Sequence, residues 1–258
     1  MNNAQEFKKK YFSDWSINTK NNINNGVYTD LAEQIPTPKT NNSILIEFGC
    51  GDGASTVELA KIGYRIIVLE CNEFCAKACF DLLSEIGVSV KRATVSNYQS
   101  VLKTTKAKVL IIEGDGLQFL KHKFSAEFMT CWFIGASAID SSKILNLPLN
   151  DNDPTIFSKY RTHIHQQIYR NFKKYNTSRH PGIIQFVDRS WLPLGHTMLS
   201  VQDAYFKLHS PLSENKYHLN FGVGIVDQTI FKGVDYVSNR STDGPGTPII
   251  VQTMATLK

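Results

Sequence analysis

The stretch Ile44 to Ala60, ILIEFGCGDGASTVELA, decides the fold. Ile44 to Phe48 is a short apolar run of strand length. It breaks into glycines at alternate positions, Gly49, Gly51 and Gly53, and the chain resumes from Ser55 to Ile62 at helical spacing. Strand, glycine turn and helix in that order form the opening of a parallel α/β sheet. Glycines there permit positive φ and let a ligand approach the backbone. The turn alone is weak evidence, since any tight turn can carry it. It lacks the third glycine of a GxGxxG dinucleotide fingerprint, because Ala54 follows Gly53. No GK[ST] follows to make a P-loop.

Working outward, the alternation continues. Tyr64 to Leu69 reads as a buried strand ending in Glu70, and Glu73 to Ile86 as a helix. Val109 to Ile112 is a strand ending in Glu113-Gly114-Asp115-Gly116, and Phe128 to Ile134 is a further apolar run. A helix is expected from Asp153-Pro154, as cap and first-turn residue, to Tyr175, with the stripe Ile156, Tyr160, Ile164, Ile168, Phe172 and Tyr175. Ile183 to Val187 reads as a strand, Val201 to His209 as a short helix. Tyr217 to Phe231 and Pro248 to Leu257 read as an antiparallel pair at a sheet edge. The expected fold is α/β, with a seven-stranded, Rossmann-like, mostly parallel sheet, an antiparallel last strand and helices on both faces. Residues 1–42 are expected to form a helical extension or lid, and residues 43–258 one domain.

The 258 residues are 42% hydrophobic and 20% charged, which excludes wholesale disorder. No apolar run approaches the roughly 20 residues of a membrane span, and Met1 to Lys10 lacks an apolar signal core. A cytoplasmic protein without a membrane partner is expected. The net charge of +5 is too small for a dedicated nucleic-acid binder. Cys71, Cys75 and Cys79 stack along one helix face, which reads as buried small side chains rather than metal ligands. His163 and His165 are two apart on a helix and do not share a face. No metal site is expected.

In open parallel sheets, ligands bind beyond the carboxyl ends of the strands. Three features lie there: the glycine turn, Glu70 and Asp115. Glu70 follows Gly53 by 17 residues, at the tip of the next strand. A carboxylate in that place can accept from a ribose diol, and Asp115 from an adenine amino group, so the set points to an adenosine ligand.

These residues resemble the class I S-adenosylmethionine-dependent methyltransferases. The resemblance rests on ILIEFGCGDGASTVELA, on Val68 to Glu70 (VLE) and on Glu113 to Leu120 (EGDGLQFL), and covers residues 43–140. It implies S-adenosyl-L-methionine as cofactor, S-adenosyl-L-homocysteine as product, and a cofactor site of Glu47, Gly49, Cys50, Gly51, Gly53, Glu70, Cys71, Asp115, Gly116 and Ile134, with Tyr28 from the N-terminal segment. Glu70 and Asp115 are about 45 residues apart, longer than usual for the family. The excess, residues 87–107, is assigned to an inserted helix or loop. A strand at Val88 to Thr94 would instead raise the count to eight and remove Asp115 from its adenine role.

The fold does not name the acceptor. The end of the fourth strand reads Phe133 to Asp140, FIGASAID, without the [DN]PP[YF] of amino-directed methylation. No Pro-Cys pair occurs for cysteine-nucleophile catalysis. A small-molecule acceptor is therefore expected, including those of specialised metabolism. Thr155 to Val187 has no Asp or Glu but carries Lys159, Arg161, Arg170, Lys173, Lys174 and Arg179. This is either a solvated helix face or an attraction for an anionic acceptor. The alternatives are a methyltransferase for RNA or protein, a non-methylating reaction in the same pocket, and a binding protein without turnover. Trp15, with Tyr11 and Tyr28, is expected in the lid, where Trp15 would also touch the substrate. Trp191 and His196, in a loop after the fifth strand, are expected at the substrate. No catalytic base is assigned.

Overall fold

The computed structural model describes residues 3–149, 155–178, 180–227, 229 and 246–258. The chain opens with α1 (Asn3–Asn24) and α2 (Val27–Glu33). It then alternates: β1 (Ile44–Phe48), α3 (Ala54–Lys61), β2 (Arg65–Glu70), α4 (Glu73–Glu85), β3 (Val90–Thr94), α5 (Tyr98–Thr104), β4 (Val109–Glu113), α6 (Gly116–Phe119) and β5 (Phe128–Trp132). The C-terminal part adds α7 (Ala138–Leu145), α8 (Ile156–Tyr175), β6 (Ile183–Leu192), α9 (Met198–Leu212), β7 (Tyr217–Ile225) and β8 (Thr247–Leu257).

One sheet holds these strands in the order β3-β4-β2-β1-β5-β6-β8-β7. Pairing from β3 through β6 is parallel, and β8 runs against both its neighbours. The α/β fold with an antiparallel last strand is therefore as expected. The count is eight rather than seven. The difference is β3, which the sequence reading placed in a helix or loop insertion. Of Val90 to Thr94 only Ala93 is buried, because β3 is an edge strand covered on one side. Lys91 and Arg92 there protect the open edge, and they hide the strand from a search for buried apolar runs.

The extra strand attaches outside β4 and leaves β4 paired to β2. Glu70 stands beside Glu113 in that register, and Thr94 beside Glu113 from the other side. Asp115, two residues past Glu113, therefore stays next to Glu70. The eighth strand thus leaves Asp115 and Glu70 lining one cleft.

The alternating faces of the central strands build two core layers. Leu45, Ile66, Val68, Val109 and Ile111 pack under α2, α3 and α4. Ile46, Ile67, Leu69, Leu110 and Ile112 pack against α6 and α8. The stripe of α8 is buried from Ile156 to Phe172, as its period requires. Its expected cap, Asp153-Pro154, lies outside the described residues. The strand expected over Tyr217 to Phe231 ends earlier, at Ile225, and Phe231 lies outside the described residues. The strand β6 is longer than expected, so Trp191 lies within it, opposite Pro248, rather than in a loop. Pairing with β8 along its whole length carries it past the apolar stretch that marked it in the sequence.

Candidate functional site

The parallel strands end together, and the turns that follow β1, β2, β4 and β5 meet there. The chain leaves β1 through Gly49, Gly51 and Gly53 at φ of 82°, 54° and 98°. A Cβ on Gly53 would lie 2.7 Å from Cys79 Cα, so this residue lets α3 pack directly on α4. At Gly49 a Cβ would lie 2.9 Å from Ile134 Cδ1, and at Gly116 2.9 Å from Phe48 Cε2. Glycine at these places keeps the cleft between β1, β4 and β5 open.

The cleft is lined by Gly49, Glu70, Cys71, Asp115, Gly116 and Ile134, all expected from sequence. Glu70 is 7% exposed. Its Oε2 accepts from Cys50 N at 3.1 Å and its Oε1 from Asn72 N at 2.9 Å. Burial raises its pKa, while those N–H groups pull it down. Asp115 caps α6, accepting from Leu117 N at 2.9 Å, and Gln118 Nε2 lies 3.3 Å from its other oxygen. Two carboxylates thus border one cleft, each with lone pairs beyond those its own turn uses.

Glu47 plays a different part. It is 2% exposed and accepts from Ser55 Oγ at 2.5 Å and Thr56 Oγ1 at 2.6 Å. Burial lifts its pKa to about 7 against those two hydroxyls. It joins β1 to the first turn of α3 and is not among the residues lining the cleft.

The N-terminal helix covers this region. Trp15 fills the space beside Gly51, and Tyr11 Oη would stand 2.8 Å from a Cβ on Gly135. The two rings stack with centroids 6.2 Å apart. Lys8 Nζ lies 2.9 Å from Glu73, 3.6 Å from Asp140 and 3.5 Å from Cys71 O, and Asn72 Nδ2 donates to Lys8 O at 3.1 Å. Walled by the strand ends together with Ile144 of α7 and Tyr160 and Ile164 of α8, the cleft keeps about 20 Å³ of free space, room for about one water molecule. Tyr28 is buried on α2, where its hydroxyl accepts from Asn22 Nδ2 and its ring stacks on Trp132. It supports the aromatic layer under α1 and does not line the cleft.

Neither Trp191 nor His196 lines the cleft, and His196 is exposed in the turn before α9. Several contributors escaped the sequence reading. Tyr160 and Ile164 wall the cleft from α8, although their spacing marked them only as core. Phe133 adopts φ of 53°, rare for a bulky residue, and so turns the chain to present Ile134 and Gly135. Its ring faces the Arg189 guanidinium at 4.2 Å.

The fold is that of a Rossmann-like α/β sheet with a cleft at the carboxyl ends of its parallel strands. No protein-family model and no curated protein matches the sequence. Solved structures of similar shape include the precorrin 8W decarboxylase of Methanobacterium thermoautotrophicum, at 15% identity over 89% of this chain and 87% of that one, with a TM-score of 0.46. A SAM-dependent methyltransferase from Methanosarcina mazei matches at 14% identity over 84% and 93%, with a TM-score of 0.46. TYW2 of M. jannaschii, solved with AdoMet, matches at 12% over 91% and 76%, with a TM-score of 0.48. The fold assignment stands on the strand order and register of this chain. No helix among the described residues is long and apolar enough to cross a membrane.

Proposed function

We propose that this protein binds S-adenosylmethionine in the cleft and transfers its methyl group to a small-molecule acceptor. The observation that carries the reading is Glu70. Its buried carboxylate sits at the tip of β2, held by Cys50 N–H, and faces a cleft whose other wall carries Asp115. The spacing of carboxylate, glycine turn and second acid suits a ribose diol and an adenine amino group.

When bound, the cofactor supplies a methyl group made electrophilic by its sulfonium. The chain's own part is to hold and to exclude water. Glu70 accepts from the two ribose hydroxyls with the lone pairs its turn leaves free. Asp115 accepts from the adenine. Gly49 and Gly116 leave room where a side chain would stand. The chain from Phe133 to Gly135 borders the reacting end, and alignment of the acceptor there supplies most of the catalysis. A base is required only for an acceptor that starts protonated.

The N-terminal residues 1–42 act as a lid in this reading, and residues 43–258 as the domain that carries the site. Free space of about one water means that the cleft must open to admit a nucleoside, a movement this reading assigns to α1. Trp15 and Tyr11 then close over it. A small acceptor is favoured by the charge pattern. Of the basic residues on α8, Arg161 pairs with Asp188 and Arg170 with Glu214, which leaves less of the helix to meet a polyanion.

Calorimetric titration with S-adenosylmethionine tests the reading. Wild type is expected to bind at one equivalent, and Glu70→Ala about 10- to 100-fold more weakly, from charged hydrogen bonds of about 1.5–3 kcal/mol. Acceptors can then be screened by the mass of one added methyl group. Absence of binding to the folded protein would overturn the proposal.

A further inference from the structure

Behind the cleft wall, three buried side chains from three elements converge. His165 on α8, Asp188 on β6 and His209 on α9 are 1%, 3% and 0% exposed. One ligand atom from each lies within 4.8 Å of the others. Nε2 of His165 and Nε2 of His209 are both buried without a hydrogen-bond partner. Two imidazole nitrogens buried side by side without a protein partner are costly unless something ties them.

Their surroundings favour a metal over a chance pairing. Tyr169 Oη lies 2.9 Å from His209 Nδ1. A phenol accepting the Nδ1–H leaves the Nε2 lone pair directed elsewhere, which is how an outer hydrogen bond sets the tautomer of a metal-bound histidine. The His165 ring packs on Phe186 at 4.4 Å between centroids and cannot swing to solvent. Arg161 Nη1 reaches Asp188 Oδ1 at 3.3 Å, and a carboxylate has a second oxygen to offer.

We propose that His165, Asp188 and His209 form a binding site for a divalent transition metal of the zinc class. Two imidazoles and one carboxylate suit zinc and its neighbours, whereas calcium and magnesium prefer all-oxygen sites and copper(I) prefers sulfur. Ligand atoms around tetrahedral zinc stand about 3.4 Å apart, from bonds of about 2.0–2.2 Å. Binding therefore draws together any pair that stands wider than this, by at most about 1.4 Å. None of the three side chains lines the cleft, so the metal has a positioning role. His165 directly follows Ile164, which lies about one helical turn past Tyr160, so the metal would fix the wall that α8 gives the cleft. The site does not depend on what the cleft binds.

The test uses the full chain, stripped with a chelator and titrated with zinc chloride by calorimetry and with cobalt(II) by visible absorption. One equivalent of zinc is expected, with a higher melting temperature. Cobalt d–d bands without a thiolate charge-transfer band would place the ion on nitrogen and oxygen, away from the cysteines. Asp188→Asn is expected to abolish binding. Tyr169→Phe, which touches no metal, should weaken it about 10- to 100-fold while the fold persists by circular dichroism. Failure of folded wild type to bind zinc would overturn the proposal and leave a water-bridged histidine pair. A thiolate band, or equal binding by wild type and both variants, would overturn it too.

Discussion

The Glu70 carboxylate accepts the backbone N–H of Cys50 at 3.1 Å, across 20 residues of chain. With its other oxygen on Asn72 N–H, it ties the glycine turn after β1 to the tip of β2. One buried side chain thus shapes the loop and borders the cleft. Glu70→Gln sets an NH₂ group against one of those N–H donors. Stability should fall by about 1–3 kcal/mol, the cost of a buried donor left unpaired. Urea midpoints check this, and an unchanged midpoint would show the contact to be dispensable.

Gly53→Ala is expected to be far more costly than Gly26→Ala. Both residues have positive φ, 98° and 67°. A Cβ at Gly26 meets nothing within 4 Å, whereas one at Gly53 meets the backbone of α4. The first should cost about 1 kcal/mol, the left-handed penalty alone. The second adds a clash of about 1–3 kcal/mol that only separation of α3 from α4 relieves. Melting temperatures of the two variants should differ accordingly; equal losses would rule out the close approach.

Glu47 makes stability depend on pH. Burial raises its pKa from 4.5 to about 7. The folded chain therefore keeps a proton there that the unfolded chain releases. This contribution is complete below 4.5 and is lost as pH rises through about 7. Wild-type stability should decline along that arm relative to Glu47→Gln, whose side chain is neutral throughout. Parallel curves of stability against pH for the two proteins would contradict the assignment.

The lid reading makes Trp15 decisive for cofactor exchange. Trp15→Ala removes the indole beside Gly51 and its contact with the Arg189 guanidinium, 5.1 Å from the ring. Amide exchange should accelerate along α1 and not along β1 or β2. Association of S-adenosylmethionine, followed by stopped-flow, should become faster. Uniform loss of protection would instead make α1 an integral part of the core.

Local chemistry made much of this protein legible. The glycine turn, the acid at the tip of β2 and the period of α8 are each encoded within one or two elements. Glu70 and Asp115 could be placed because strand ends converge in any parallel sheet. Other features were decided only when distant elements met. β3 looked unlike a strand because an edge needs little apolar cover and carries Lys91 and Arg92. Glu47 resembled a ligand residue, but folding set its oxygens on Ser55 and Thr56. Trp191 looked like a loop residue until pairing with β8 extended β6 to Leu192. His165, Asp188 and His209 form no motif, since their convergence depends on how α8 and α9 pack on β6. Periodicity and turn chemistry act over a few residues, so the chain itself determined its elements and strand ends. Long-range packing alone decided which side chains share a pocket, which are buried without a partner, and that α1 packs beside the strand ends.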